Sequence, residues 1–443
     1  MATLKRRDFL ALCATAGLAG AQQQQRRPPN IVFIMSDDLG ASEVGCYGNR
    51  KVKTPNIDRL ATQGVRFETC YATPLCSPSR VLLMTGRYGF RTGFTNFIGR
   101  VTTRKMRLQE EELTFADMLK SRGYATGLAG KWQLGLISPH PTMIHDSGFD
   151  EYFSWSWTKG GQPKGSPAEG RERQRYWHPA IVSNGKYVST TPEQHGEDLY
   201  SDWIINFMKR HRGRPFLAYY PMCLIHEPWD PTPDLSKPEA KTSGGMNHNI
   251  EYMDHVVGKV LQALEELGLA ENTYVFFCGD NGTGKNGKGS VTEKGVRVPM
   301  IVRGPGVRKD FVSRDLIDFS DILPTMAELT GAKVPAGEHD GTSFAPELQG
   351  REGARREWIF SYLGYDRMIR DKRFLMEGDG SLYDCGESRD GSNYRDVTTE
   401  LSPEILGVKK RFQTLLAKLP APPQEPADLK NPLQPYTGAN AND

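Results

Sequence analysis

Four oxygen-bearing side chains stand in two doublets far apart in the chain: Asp37-Asp38, directly after Ser36, and Asp280-Asn281. Each doublet follows an unbroken apolar run, Ile31 to Met35 in the first case and Tyr274 to Phe277 in the second. Runs of this kind suit strands buried on both faces. If the two strands end on one sheet edge, the doublets meet there. Three carboxylates that close repel one another unless a cation sits among them. A set made only of oxygens suits a hard ion such as Ca²⁺ or Mg²⁺ rather than zinc. Each doublet by itself also reads as an ordinary turn after a strand.

A second chemical locus is TPLCSPSRVLLMTGR, residues 73–87. Pro78 fits the first turn of a helix and Ser77 its cap, with Val81, Leu82 and Met84 as an inner face. Cys76 then sits at the positive end of a helix beside Arg80, an anion site. A bare thiol there is expected to be acidified and oxidisable. A disulfide, a metal thiolate, a reactive thiol and a precursor of some other group all remain compatible with these residues. His226 follows a third apolar run, Phe216 to Met222, and a lone histidine is usually structural. Arg80, Lys131 and Lys288, taken without context, read as solvated surface charge.

Alternating apolar runs and amphipathic stretches must position these groups. Met253, Val256, Val257, Val260, Leu261 and Leu264 follow helical spacing, with Gly268 as a stop, and FSDILPTMAELTGA is a second helix. The pattern predicts an α/β fold: a large, mostly parallel central sheet sandwiched by helices, with ligands at the carboxyl ends of its strands. From about residue 356 the character changes to short strands closed by the helix EILGVKKRFQTLLAKL. The predicted segments are a leader at 1–21, a linker at 22–29, a catalytic domain at 30–350, an antiparallel C-terminal subdomain at 351–420 and a Pro-rich tail at 421–443.

The 443 residues are 25% charged and 38% hydrophobic, an ordinary soluble composition. Net charge is +3, of which Lys5, Arg6, Arg7 and Asp8 supply +2, so no basic patch argues for nucleic acid. The basic start, the short apolar run Phe9 to Ala21 and the closing Ala19-Gly20-Ala21 read as a cleaved signal, and Arg6-Arg7 resembles a twin-arginine export signal. No later segment offers about 18 uninterrupted apolar residues, so no stable membrane insertion is expected. Behind the leader stand Cys46, Cys70, Cys76, Cys223, Cys278 and Cys385, without a CxxC or zinc spacing; one oxidised pair among otherwise buried thiols is the plain reading. The segment 154–179, rich in aromatics and cations, suits either stacking on sugar rings or a solvated loop.

LCSPSRVLLMTGR resembles the Cys-x-Pro-x-Arg signature of the type I sulfatases, members of the alkaline phosphatase superfamily. The resemblance extends through PNIVFIMSDDLG, TPNIDRLATQGVRF, AGKWQLG, IHEP, VFFCGDNGTGKNGKGSVTEKGVRVP, DGTSF and SLYD. It implies an alkaline-phosphatase-like fold and a sulfuric ester hydrolase whose Cys76 is converted to formylglycine (3-oxoalanine) by a maturation enzyme. It further implies that Asp37, Asp38, Asp280 and Asn281, with residue 76, hold the metal. Arg80 would steady the formylglycine, Lys131 and Lys288 would meet the sulfate, and His226 would serve the leaving group. One hydroxyl of the hydrated aldehyde would attack sulfur and the other later expel sulfate. Sulfated saccharides and aryl sulfates are the implied substrates, and the twin-arginine translocase would deliver the protein to the periplasm or medium. Gln133 stands where the family has histidine and can hydrogen-bond the formylglycine but not shuttle a proton. Lys294 replaces a family glycine and either extends a cation towards substrate or lies exposed. The rival readings are a phosphate or phosphonate ester hydrolase of the same superfamily and an inactive homologue that only binds sulfated glycans.

Overall fold

Unalternating apolar segments form the centre of a large sheet in the computed structural model, which describes residues 27–98, 107–137, 140–157, 162, 164–171, 174–335, 337–389 and 391–419. The leader with Arg6-Arg7, most of the 22–29 linker and the tail from 420 lie outside these residues. In chain order the strands are β1 (Asn30–Ser36), β2 (Val65–Tyr71), β3 (Ala125–Lys131), β4 (Glu151–Trp155), β5 (Ile181–Ser183), β6 (Lys186–Val188), β7 (Phe216–Pro221), β8 (Pro233–Asp234) and β9 (Lys237–Lys241). They continue with β10 (Thr273–Gly279), β11 (Arg297–Val298), β12 (Met300–Arg303), β13 (Phe311–Asp318), β14 (Ile359–Leu363), β15 (Asp366–Arg370), β16 (Phe374–Glu377), β17 (Leu382–Asp384) and β18 (Arg395–Asp396).

The large sheet runs β11-β2-β12-β10-β1-β7-β3-β4-β5-β6, with β13 also on β2. Its middle, β10-β1-β7-β3-β4, is parallel, and antiparallel pairs lie to either side. Side chains of β1 alternate between two apolar layers, as the period of two requires. Ile31, Phe33 and Met35 pack with the helices Cys76–Thr85, Phe115–Lys120 and Ile322–Thr330. Val32 and Ile34 pack with Pro55–Thr62, Gly196–His211 and Met246–Glu266. The sheet is therefore covered on both faces, which is why its central strands carry no polar alternation.

A second, five-stranded antiparallel sheet, β14 to β18, is closed by the helix Pro403–Lys418. Phe360, Ile369 and Phe412 from this unit belong to the same apolar cluster as Phe33 and Leu82, so the two sheets share one core. A buried ion pair between Arg370 of β15 and Glu293 also joins the small sheet to the short helix Glu293–Val296 that follows β10. The six cysteines among the described residues are all unpaired, so the expected oxidised pair does not form. Among the described residues no helix is long and apolar enough to cross a membrane.

Candidate active site

Register places the chemistry. Ser36 of β1 pairs with Gly279 of β10, so Asp37 and Asp280 leave the sheet side by side. The Asp280 N–H donates to the Ser36 carbonyl at 2.9 Å, and the Asp38 N–H donates to Asp280 Oδ1 at 2.9 Å. Lys131 is the last residue of β3, and His226 follows β7. At Gly130, one residue before Lys131, φ is +121° and an added Cβ would sit 1.9 Å from the Pro221 carbonyl oxygen. Only glycine lets β3 close on β7 there.

The helix Cys76–Thr85 begins at Cys76 itself, with Leu75 as its N-cap, which corrects the assignment of Ser77 as the cap. The Ser77 hydroxyl instead donates to the Gln133 carbonyl at 3.1 Å and accepts from the Ile98 N–H. That tertiary bond fixes the Cys76 turn to the loop after β3. Cys76 Sγ lies 3.3 Å from Asp37 Oδ1, 3.7 Å from Asp38 Oδ1 and 3.5 Å from Lys131 Nζ. Burial, then the Asp37 charge, push its thiol well above the ordinary value. The expected acidification is therefore overturned: desolvation and carboxylates outweigh the helix end.

Arg80, Lys131 and Lys288 are buried, not solvated. Arg80 Nε and Nη2 both donate to Asp280 Oδ2, at 3.0 and 2.8 Å, while Nη1 donates to the Lys131 carbonyl at 2.7 Å. Lys131 Nζ donates to Asp37 Oδ2 at 2.5 Å and Lys288 Nζ to Asp38 Oδ2 at 2.8 Å. Burial alone would raise Asp37, but the charges of Lys131, then Arg80 and Lys288, hold it well below the carboxylate range. Asp280 is pushed up to about 7 by burial and then by Asp37, against Arg80.

Each carboxylate thus has a protein cation, and mutual repulsion is not by itself an argument for a metal. The donor set supplies a better one. Asp37, Asp38, Cys76 and Asp280 bring ligand atoms within 4.8 Å of one another. Beside them Asn281 donates through Nδ2 to Asp38 Oδ1 at 2.9 Å, leaving its Oδ1 buried without a partner among the described residues. An orphaned amide oxygen beside clustered carboxylates fits a hard divalent cation.

His226 Nδ1 lies 2.5 Å from the Glu227 carbonyl oxygen, which only accepts, so Nδ1 carries the ring proton. Nε2 then accepts from Lys288 Nζ at 3.0 Å. Burial and the Lys288 charge hold the imidazole well below its ordinary value, so it is neutral. Gln133 is buried with φ +54° and its Oε1 has no partner among the described residues. Lys294 is exposed, the second of its two expected placements.

Sequence reasoning missed Glu197, in the first turn of Gly196–His211. Its Oε1 accepts from the Cys223 and Leu224 N–H groups at 2.7 and 2.9 Å, and Oε2 accepts from the Tyr220 hydroxyl at 2.5 Å. The Leu224 carbonyl in turn accepts from the Asp37 N–H at 2.7 Å, and the Ile225 N–H donates to the Asp37 carbonyl at 2.7 Å. Glu197 therefore ties the His226 loop to the first doublet. No motif marks it; an acid in a first turn reads as a helix-dipole partner. Burial pushes Glu197 from 4.5 up to about 7, so the folded state holds its proton more tightly than the unfolded chain. Its contribution to stability is full below about pH 4.5 and is lost as pH rises through about 7. Glu197→Gln, which keeps the shape without the charge, is expected to flatten the fall of the thermal midpoint over that window. Equal slopes in wild type and variant, read by calorimetry, would remove Glu197 from this role.

In the described part of 154–179, Trp155, Trp157, Arg171, Arg175 and Tyr176 are buried, whereas Lys164, Gly165, Pro167, Glu169, Gly170 and Gln174 are exposed.

The sulfatase family model matches residues 29–332. Arylsulfatase A of Homo sapiens is 33% identical over 416 residues, covering 88% of this chain and 80% of that protein. N-acetylgalactosamine-6-sulfatase of Canis lupus familiaris is 33% identical over 396 residues, covering 80% of this chain and 72% of that protein. The crystal structure of Ps i-CgsB superposes with a TM-score of 0.76 at 27% identity, covering 90% of this chain and 94% of that one. Its complex with k-i-k-neocarrahexaose gives a TM-score of 0.75 at the same identity and coverage. The family match runs from just ahead of β1 to beyond the helix Ile322–Thr330 and so takes in the whole carboxyl edge described above: the chain belongs to the sulfatase family and is a sulfuric ester hydrolase.

Proposed function

We propose that the protein releases inorganic sulfate from sulfated saccharides, and also from aryl sulfates, using a formylglycine made from Cys76 together with a bound Ca²⁺. One observation carries this reading. Cys76 is buried and unpaired at the head of its helix, among Asp37, Asp38 and Lys131 and with its thiol held protonated. A thiol there has no disulfide partner, and burial among carboxylates works against the thiolate, which supports a reading in which residue 76 acts after conversion. The cation and the hydrated aldehyde would supply an oxygen nucleophile near neutral pH.

The chain's own residues do the rest. Asp37, Asp38, Asp280 and Asn281 hold the cation. Arg80, fixed by Asp280 and the Lys131 carbonyl, keeps position 76 in register with them. Lys131 and Lys288 flank the doublets with ammonium groups that offset charge on sulfate oxygens. The proton for the leaving oxygen comes from the Lys288–His226 pair, because neutral His226 presents a bare Nε2 to the Lys288 ammonium. Gln133 positions the group at 76 by hydrogen bonding alone. The saccharide end of the reading is supported by Ps i-CgsB, solved with a neocarrahexaose, and by the similarity to N-acetylgalactosamine-6-sulfatase. The proposal includes a formylglycine-generating maturation enzyme. It also includes export by the twin-arginine translocase to the periplasm or medium, supported by Arg6-Arg7 and the apolar run behind them.

Initial rates on matched aryl sulfate and aryl phosphate esters, followed by sulfate release from defined sulfated saccharides, test the assignment. Sulfate esters are expected to be the faster substrates. A wide preference for phosphate, or saturable glycan binding without sulfate release from an enzyme converted at residue 76, would overturn it.

A further inference from the structure

Arg175 has no counterpart in the chemistry above, yet it is 5% exposed and its charge reaches His226. Its neighbours on both sides are tied down. The Gln174 carbonyl accepts from Trp155 Nε1 at 3.1 Å, and Trp155 is the register partner of Lys131 at the carboxyl edge. On the other side, the Tyr176 hydroxyl donates to the carbonyls of Cys223, at 2.9 Å, and of His226. Arg175 is thus strung between the Lys131 end of the sheet and the His226 loop. Its guanidinium carbon lies 4.6 Å from the centroid of the buried Trp155 ring, and its charge acts on both His226 and Asp230.

What the guanidinium lacks among the described residues is an anion within ion-pairing distance. Its Nε is buried without a hydrogen-bond partner, and none of its nitrogens makes an ion pair within 4.0 Å among the described residues. A buried charge without a partner is costly, and the planar fork of arginine matches the two oxygens of a carboxylate or sulfate. Stacking on Trp155 holds the fork in place and leaves its in-plane donors for a ligand.

We propose that Arg175 is a specificity-determining residue that binds a second anionic group of the substrate, on the leaving-group side of the scissile ester. The substrate class is then a saccharide carrying, besides the sulfate to be removed, another sulfate or a carboxylate on the same or the adjoining ring. This rests on the sulfatase reading above and narrows it.

The full chain is assayed on an aryl sulfate, a monosulfated disaccharide, its disulfated counterpart and a monosulfated disaccharide bearing a uronate. The wild type is expected to prefer one of the two dianionic sugars, and which one distinguishes sulfate from carboxylate as the second anion. Arg175→Gln is expected to lower the ratio of kcat/KM for that sugar to kcat/KM for the monosulfated one by about 10- to 100-fold, chiefly through KM, as loss of a charge-assisted bond requires. Arg175→Lys is expected to keep part of the preference and to make it more sensitive to salt. Binding of the same sugars to Cys76→Ala, with and without Arg175→Gln, reads the preference without turnover. If the wild type hydrolyses sulfate esters but does not prefer a dianionic sugar, or if Arg175→Gln lowers all four substrates equally, Arg175 serves packing and this inference fails. If no sulfate ester is turned over by converted enzyme, the sulfatase reading fails instead.

Discussion

Cys76→Ala is expected to lower turnover of an aryl sulfate by on the order of 10⁵-fold or more, the scale set by removing the nucleophile of a covalent mechanism. The fold should barely respond. The substitution deletes one buried sulfur, at a cost of about 1 kcal/mol, and leaves the Ser77–Gln133 and Arg80–Asp280 bonds in place. The four oxygen donors Asp37, Asp38, Asp280 and Asn281 are also untouched, so metal per chain by elemental analysis should remain near the wild-type value. Activity and metal content therefore separate in this variant. Residual hydrolysis at the per cent level would mean that some other group attacks sulfur.

Arg80→Leu is expected to be the most damaging single change to stability at the site. The guanidinium makes both of its bonds to Asp280 through Oδ2, lies 3.4 Å from Asp37 Oδ1 and donates to the Lys131 carbonyl. Leucine fills much of the volume but strands the buried Asp280 carboxylate and removes a donor from the Lys131 carbonyl, while Asp37 keeps Lys131. Breaking a buried pair in this way costs about 3–5 kcal/mol. Asp280, already pushed up by burial and Asp37, would then take a proton and weaken as a ligand. Denaturant unfolding with and without a chelator, together with metal content, measures both effects. Arg80→Lys should recover part of the charge but not the fork. A loss below about 1 kcal/mol for Arg80→Leu, small on the scale of buried-pair disruption, would show that Arg80 carries little of the site's electrostatic balance.

The residues differ in how legible they were. β1 and β10 could be read directly because strands covered on both faces carry unbroken apolar runs, and Met246–Glu266 because its apolar positions keep helical spacing. The two doublets could be found because they end those strands. Their pairing with Arg80, Lys131 and Lys288 could not, because it depends on the register of β1 against β10 and of β3 against β7, which no local pattern specifies. Ser77 misled for a related reason: a serine near a helix start reads as a cap, but its hydroxyl is committed to Gln133 across the fold. Glu197 and Arg175 were hidden because burial, not spacing, gives them their interest. The C-terminal strands were legible as strands, yet nothing in their sequence announced that Phe360 and Phe412 would share a core with Phe33.

The thiol encoded at position 76 and the group that acts there are held to be different, and mass spectrometry of the tryptic peptide Phe67–Arg80 can decide it. Fragment ions must separate Cys76 from Cys70, which lies in the same peptide. In fractions graded by specific activity on an aryl sulfate, the share of peptide carrying an aldehyde in place of the sulfur at 76 should rise in proportion to activity. Full activity in a fraction whose residue 76 is an intact cysteine would refute the assignment.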